Sequence, residues 1–242
     1  MQSYDLSYDE GRYSAAQAAA SERGAFIRRT YGHLAGAILA FVAAEAALFA
    51  SGAAEQIVGQ LFFGTGKMAW LVLLVVFIGG GFAAQAMARS ATSKAIQYAG
   101  LALYVGLWTV MFLPILYIAD RTYPGQYVAA QAGLVTLAAF AGLTIAVFAS
   151  GKNFSFLGPI LWAASFAALG LVVASLIFGF NLGALFAFGM VILAAGFIVY
   201  DTSNVMHQYR TDQHVAAALA LFGSVALMFW YVLRLFLGSR QN

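Results

Sequence analysis

The stretch FGFNLG, residues 178–183, interrupts a run of 48 residues without a charged side chain, residues 153–200. A helix needs about 20 apolar residues to cross the hydrocarbon core of a bilayer. The run is therefore too long for one membrane span and long enough for two. Two glycines and an asparagine within six residues favour a turn over a continuing helix. The stretch predicts two membrane helices, residues 156–178 and 183–206, with a short connection between them.

The composition of the whole chain supports a membrane protein. Of the 242 residues, 63% are hydrophobic and only 9% are charged, whereas soluble domains carry about 25% charged residues. Such a chain cannot cover a globular surface with polar groups, so we expect the lipid bilayer to be its surroundings. The net charge of +3 is dispersed along the sequence, and the absence of a basic stripe argues against a nucleic-acid partner.

Charge-free runs indicate five further spans. They lie at about residues 31–50, 68–88, 95–119, 127–148 and 214–237. The first 30 residues are polar, carry eight charged side chains, and lack the apolar core and cleavage site of a signal peptide. The expected organisation is an all-α membrane protein, with a polar tail over residues 1–30 and a seven-helix transmembrane domain over residues 31–238.

The distribution of lysine and arginine predicts the orientation of these spans. Cytoplasmic loops are enriched in both residues. With the N-terminus inside, eight of the twelve basic residues fall on the cytoplasmic side, so we expect a multi-pass protein whose N-terminal tail is cytoplasmic. Seven complete spans put the C-terminus outside, whereas a re-entrant last segment would put it inside.

Two acidic residues interrupt the apolar spans, and polar groups at membrane depth are costly enough to need a reason. Asp201 lies about 7 Å below the predicted cytoplasmic interface. It is either a solvated helix end or a titratable gate element. Glu45 lies near the middle of the first span, where it is protonated, hydrogen-bonded to another helix or lining a water-filled path. His207, six residues after Asp201, is a further titratable candidate at the interface.

The familiar sequence signatures of enzymes are missing. The stretch GQLFFGTGKM, residues 59–68, superficially resembles a phosphate loop, but its first glycine is misplaced and Lys67 is followed by methionine. The chain has no HExxH zinc motif and no Gly-x-Ser-x-Gly elbow, and it has no cysteine. We therefore expect no enzymatic activity, no cofactor and no bound metal.

Four stretches together resemble one family of membrane proteins. They are YDTSNVMHQY (200–209), KNFSFLGPIL (152–161), YVGLWTVMFLPILYIA (104–119) and ALALFGSVALMFWYVLRLFLG (218–238). Their order and spacing over about residues 25–238 are similar to the Bax inhibitor-1 family, and specifically to its bacterial YccA-like branch. The resemblance implies a bundle of seven helices in which the other six surround the last one.

The resemblance also implies two activities. One is a pH-sensitive calcium leak, in which aspartates on the sixth and seventh helices share a proton and an arginine at the end of the second helix controls the pair. Two carboxylates in contact titrate as a unit. The other activity, in the YccA-like branch, is the binding and modulation of a membrane-bound AAA protease that degrades membrane proteins.

Carried over by position, the resemblance assigns a gate or latch to three residues. Asp201 matches the aspartate of the sixth helix, and Arg89 matches the arginine. Ser224 stands where the seventh helix should carry its aspartate. Because serine cannot share a proton as a carboxylate does, Asp201 is expected to accept a hydrogen bond from Ser224 and to pair with Arg89.

The serine at position 224 favours one of the two activities. We expect a protein of the bacterial inner membrane that modulates membrane proteostasis or stress by binding the AAA protease. The alternative is a pH-sensitive calcium or cation leak gated at Asp201, with Arg89, to which Glu45 would contribute if the first span approached the same cavity; calcium or protons would then be its partners.

Overall fold

The computed structural model describes residues 14–60 and 67–240 of the chain. Within these ranges the chain forms eight helices, numbered in chain order. They are α1 (Ala20–Ala50), α2 (Ala53–Val58), α3 (Lys67–Ala88), α4 (Lys94–Thr122), α5 (Val128–Ser150), α6 (Leu157–Phe178), α7 (Gly183–His207) and α8 (His214–Ser239).

Seven of these helices are long and apolar enough to cross a membrane, namely α1 and α3 to α8, with α3 counted from Trp70. Large apolar side chains on their outer faces are exposed, among them Val75, Leu134, Phe166 and Leu185. Exposed apolar side chains on every side of a helical bundle are typical of a lipid-facing surface. The predicted fold class, an all-α seven-helix membrane protein, is confirmed.

The interruption at residues 178–183 separates α6 from α7. Gly179 adopts a left-handed backbone conformation, with φ of 76°, and its N–H donates to the carbonyl of Ser175 at 2.9 Å. Gly183 also has a positive φ, of 64°. Only glycine reaches such angles without steric cost from a Cβ atom, which is why the apolar run folds into two helices.

The first helix begins earlier than the predicted membrane span. Residues 20–30, which were expected to belong to the polar tail, form the first turns of α1. Phe26 and Thr30 within them are buried against the bundle, so the packing of one face holds this polar segment in a helix. The tail's residues 1–13 lie outside the described residues. The short helix α2 was not predicted.

Helix α8 occupies the centre of the bundle. Its most apolar 18-residue window is 72% buried, against 11% for that of α6. It packs against α1, α3, α4, α5 and α7, whereas α6 packs mainly on α7 and α3 at the periphery. The central position of the last helix, which the family resemblance implied, is therefore confirmed.

Close packing between helices depends on small residues. A Cβ atom placed on Gly100 of α4 would lie 2.6 Å from the carbonyl oxygen of Ala84 in α3, and one on Gly223 of α8 would lie 2.5 Å from the hydroxyl of Tyr104. Lipid is as apolar as the helix surfaces, so burial of apolar groups does not drive membrane helices together. Van der Waals contact at such close approaches therefore contributes much of the stability of their packing.

Candidate functional site

The last turns of α7 carry four consecutive buried polar residues, Asp201, Thr202, Ser203 and Asn204. Successive residues of a helix point about 100° apart, so these side chains meet different neighbours. Asp201 contacts α8, while Ser203 and Asn204 contact the connection between α5 and α6. This end of α7 therefore joins several parts of the bundle through hydrogen bonds.

Asp201 and Ser224 form a direct link between α7 and α8. The hydroxyl of Ser224 donates a hydrogen bond to Oδ2 of Asp201, and the two residues are only 5% and 8% exposed. The same hydroxyl lies 3.3 Å from the carbonyl oxygen of Ala220, one turn earlier in α8. A buried carboxylate is costly unless donors satisfy it, so this bond favours the packing of α7 against α8. We call the Asp201–Ser224 pair the α7–α8 latch.

Arg89 lies near the latch, at the solvent-exposed end of the bundle where α3 and α7 end. It directly follows α3, is exposed, and lines a polar cavity of about 410 Å³ together with Ser155, Tyr200, Asn204, Gln208, Tyr209 and Gln213. Among residues 14–60 and 67–240, no ion pair joins Arg89 to Asp201. The expected pairing of these two residues is therefore not present, because Asp201 lies deeper, against α8, while the guanidinium stays at the solvated mouth.

Tyr209 connects Arg89 electrostatically to the latch. Burial raises the pKa of the Tyr209 hydroxyl to about 12, and the negative charge of Asp201 acts in the same direction. The Arg89 guanidinium, close to the hydroxyl, acts in the opposite direction on the same pKa. Arg89 thus acts on the Tyr209 hydroxyl rather than on the Asp201 carboxylate itself.

The connection between α5 and α6 packs on the same end of α7. The backbone N–H of Phe154 donates to the hydroxyl of Ser203 at 2.8 Å. The hydroxyl of Ser155 lies 3.4 Å from Oδ1 of Asn204 and accepts a hydrogen bond from the side-chain amide of Gln208 at 3.0 Å. Side chains of α7 therefore supply partners for backbone and side-chain groups of this loop.

His207 stands apart from the latch. Its Nδ1 donates to the carbonyl oxygen of Ser203 in the preceding turn of α7, at 2.9 Å. This bond caps the helix end locally. The structure thus brings His207 to the same end of the bundle but gives it no hydrogen bond to Asp201 within the described chain.

Glu45 lies in a different part of the molecule. It lines a cavity of about 330 Å³ whose α8 residues include Phe222, Val225 and Phe229. At about 100° per residue, Ser224 points to the opposite side of α8 from these three. The central helix therefore separates Glu45 from Asp201, and the first span does not add a second carboxylate to the latch.

The described residues contain no cluster of three or more histidine, cysteine, aspartate or glutamate side chains that could hold a metal ion. Calcium takes six to eight oxygen ligands, usually several of them carboxylates. Around the latch, the ionisable acid is Asp201 and its partner is a hydroxyl. One carboxylate and one hydroxyl suit a hydrogen-bonded contact between helices better than they suit the binding of a metal ion.

Sequence reasoning missed two contributors to this end of the bundle. Tyr209 ends the stretch YDTSNVMHQY, and its backbone carbonyl accepts a hydrogen bond from the N–H of Ala15 at 2.8 Å. Ser14 forms an isolated β-bridge with Arg210. The segment before α1 is thereby attached to the α7–α8 loop. Neither contact has a signal in the local sequence, since about 195 residues separate the two partners in each case.

Comparison with known proteins places the chain in a family. The family profile described as "Inhibitor of apoptosis-promoting Bax1" matches residues 23–242. The chain is 28% identical over 224 residues to the uncharacterized protein Cj0236c of Campylobacter jejuni, covering 91% of this chain and 92% of that one. It is 26% identical over 223 residues to Protein LIFEGUARD 4 of Arabidopsis thaliana, covering 88% and 85% of the two chains.

A further relative matches more strongly over a shorter region. A BI1-like protein of Arabidopsis thaliana is 35% identical over 113 residues, which is 43% of this chain and 43% of the relative. The alignment thus spans less than half of that protein's length. The family profile covers almost the whole chain, including every helix that carries the latch and its surroundings. The chain belongs to the Bax inhibitor-1 family of integral membrane proteins.

Proposed function

We propose that this chain is a protein of the bacterial inner membrane, with a cytoplasmic N-terminus, that modulates membrane proteostasis by binding a membrane-bound AAA protease. The observation that carries the proposal is the hydrogen bond from Ser224 to Asp201. It makes the α7–α8 contact a latch between a hydroxyl and a single carboxylate.

The chemistry of the latch favours an interaction protein over a proton-operated gate. A pair of carboxylates holds together by sharing a proton and is driven apart by like charge when that proton leaves. Ser224 keeps its hydroxyl proton throughout the physiological range and remains a donor to Asp201 in either protonation state. Loss of a proton from Asp201 therefore strengthens this hydrogen bond.

A surface suited to a soluble domain lies at the same end of the bundle. Residues 14–29 and 208–213 form it, and we call it the N-terminal face. The N–H of Ala15 holds the start of this segment on Tyr209. The exposed charged side chains of the face are Glu22, Arg23, Arg28 and Arg29 on α1 and Asp212 on the α7–α8 loop. A defined, charged surface next to the membrane is a suitable contact for a protease tethered in the same bilayer.

The test is co-purification from the host membrane in mild detergent, with the full chain tagged and the AAA protease detected by antibody. Ala15→Pro removes the N–H that holds the segment on Tyr209, whereas Ala16→Pro changes an exposed neighbour. We expect the wild type and Ala16→Pro to bring down the protease, and Ala15→Pro to bring down clearly less. Deletion of the gene should change the turnover of a membrane substrate of the protease.

Two results would reject the proposal. One is that the wild-type chain never retains the protease in several mild detergents while deletion leaves substrate turnover unchanged. The other is that Arg121→Ala, at the far end of the bundle, lowers retention as much as Ala15→Pro does. The second result would indicate a general loss of folding rather than a specific face.

A calcium leak gated at Asp201 is the second candidate function. A buried carboxylate beside the polar cavity that Arg89 lines favours it. Calcium uptake into liposomes between acid and neutral pH tests it, with Asp201→Asn as the matched neutral variant. Equal uptake by the wild type and Asp201→Asn at every pH rejects the leak. Ser224→Asp adds a second carboxylate to the latch. If the leak exists, we expect this variant to take up calcium in a more pH-dependent way than the wild type.

A further inference from the structure

Glu45 is a buried acid that takes no part in the α7–α8 latch. It lies on α1 and is only 6% exposed. Within the described ranges, neither of its carboxylate oxygens has a hydrogen-bond partner. Burying an ionised carboxylate without a partner is among the most costly arrangements in a protein. Among the described residues no side chain offers a counterpart to this acid, and a cation brought in from outside would supply one.

The carboxylate lines an apolar cavity of about 330 Å³. Residues of α1 and α5 form its walls, and residues of the central helix α8 form its floor, including Phe222 and Phe229. On the rim, Val42 of α1 is 54% exposed and Leu137 of α5 is 44% exposed. Because these are lipid-facing positions on spanning helices, the cavity opens sideways towards the bilayer.

The lining does not suit a metal ion. Besides Glu45, the side-chain oxygen in the lining belongs to Thr136, whose hydroxyl donates to the carbonyl of Ala132 at 2.8 Å. The remaining lining side chains are apolar or aromatic, or are glycine. A divalent cation such as calcium requires several oxygen ligands and would keep most of its water, which an apolar cavity does not accommodate.

The lining does suit an organic cation. Phe41, Phe222 and Phe229 present aromatic rings in the cavity, and the rings of Phe41 and Phe229 are 6.4 Å apart. Aromatic faces attract ammonium groups, more strongly where water is excluded. The Thr136 hydroxyl keeps acceptor capacity while it donates. Binding sites for small molecules typically combine such an apolar lining with a few polar groups that fix orientation.

We propose that this cavity binds a hydrophobic organic cation, a molecule with one aromatic or alkyl body and a small ammonium group that meets Glu45. The occupant enters from the bilayer between α1 and α5. A dry cavity of about 150 Å³ is enough for benzene, so 330 Å³ accommodates one ring with a substituted ammonium group. The site is separate from the latch, because Ser224 lies on the opposite side of α8.

The probe for this site is phenyltrimethylammonium, whose charge is fixed. Its neutral isostere, tert-butylbenzene, has the same shape with carbon in place of nitrogen. Binding of each is measured by calorimetry to the full chain in nanodiscs, with empty nanodiscs subtracted. For the wild type we expect saturable binding of the cation, at least about tenfold tighter than that of the isostere.

Variants distinguish the contribution of the Glu45 charge from that of the open cavity. Glu45→Gln keeps the shape and should remove the preference for the cation, while Glu55→Gln, an exposed acid paired with Arg121, should bind as the wild type does. Gly133→Leu fills the cavity and leaves the carboxylate in place. A Cβ atom at Gly133 meets only Phe229, at 3.9 Å, so the new side chain begins without a clash and extends into the cavity. We expect both probes to lose binding.

Equal affinity of the wild type for the cation and the isostere would overturn the proposal, since Glu45 would then contribute no charge to binding. Unchanged cation binding in Glu45→Gln would overturn it as well. If Glu45→Gln fails to fold, Gly133→Leu decides the question, because cation binding that survives a filled cavity lies elsewhere on the protein.

Discussion

The hydroxyl of Ser224 on α8 donates a hydrogen bond to the buried carboxylate of Asp201 on α7. The bond connects the central helix to the neighbour that also holds the α5–α6 loop and the start of the α7–α8 loop. A change at either residue should therefore alter the packing of this whole end of the bundle.

Ser224→Ala tests the contribution of the latch to stability. The substitution leaves Asp201 buried without its donor, so we expect the free energy of unfolding to fall by about 1–3 kcal/mol. Unfolding in mixed detergent micelles, followed by circular dichroism, measures the change. Ser165→Ala is the matched control, since that hydroxyl donates within its own helix to Leu161 at 2.8 Å. Equal stability of both variants would show that the latch contributes nothing.

Gly100→Ala tests the close approach of α3 and α4. The added methyl group would lie 2.6 Å from the carbonyl oxygen of Ala84 and 2.8 Å from the backbone nitrogen of Ala88, and backbone atoms cannot move aside without shifting a helix. We expect a loss of about 1–3 kcal/mol in the same unfolding assay. Gly106→Ala on the same helix has open space around it and should be neutral or slightly stabilising, because alanine is the better helix former.

Ser203→Ala tests the attachment of the α5–α6 loop. The change removes the acceptor of the Phe154 N–H, so we expect that amide to exchange its hydrogen about tenfold faster. Hydrogen exchange measured by mass spectrometry over residues 151–157 provides the observation. Ser175→Ala, whose hydroxyl donates within α6, should leave the loop unchanged. Protection that persists in Ser203→Ala would mean that another group holds the loop.

Tyr209→Phe tests the burial of the Tyr209 hydroxyl next to Arg89. Burial raises the pKa of Tyr209 from its ordinary value of 10.0 to about 12 in the folded protein. The unfolded chain therefore loses this proton first as pH rises, and the contribution of Tyr209 to stability is complete below pH 10 and is lost between about pH 10 and 12. Between those limits, the phenylalanine variant should lose stability less steeply with pH than the wild type. Identical alkaline slopes would contradict the burial of this hydroxyl.

Local sequence patterns were sufficient to predict which segments of the chain form the membrane-spanning helices. A charge-free run and the glycines of FGFNLG predicted two helices because helix length and backbone conformation depend on neighbouring residues. The polar residues 201–204 likewise stood out against an apolar background. The extension of α1 back to Ala20 was missed because it depends on the packing of Phe26 and Thr30 against distant helices.

The sequence by itself determined the membrane class, the helical fold and the set of acids that needed partners, since composition and periodicity carry that information directly. Only the tertiary structure decided which partners those acids have. It contains the expected hydrogen bond from Ser224 to Asp201, but it left Arg89 beside Tyr209 instead of the carboxylate and placed Glu45 on the far side of α8. The physical reason is that hydrogen bonds and cavities between helices depend on which faces meet across the bundle, and residues far apart in the chain form those faces.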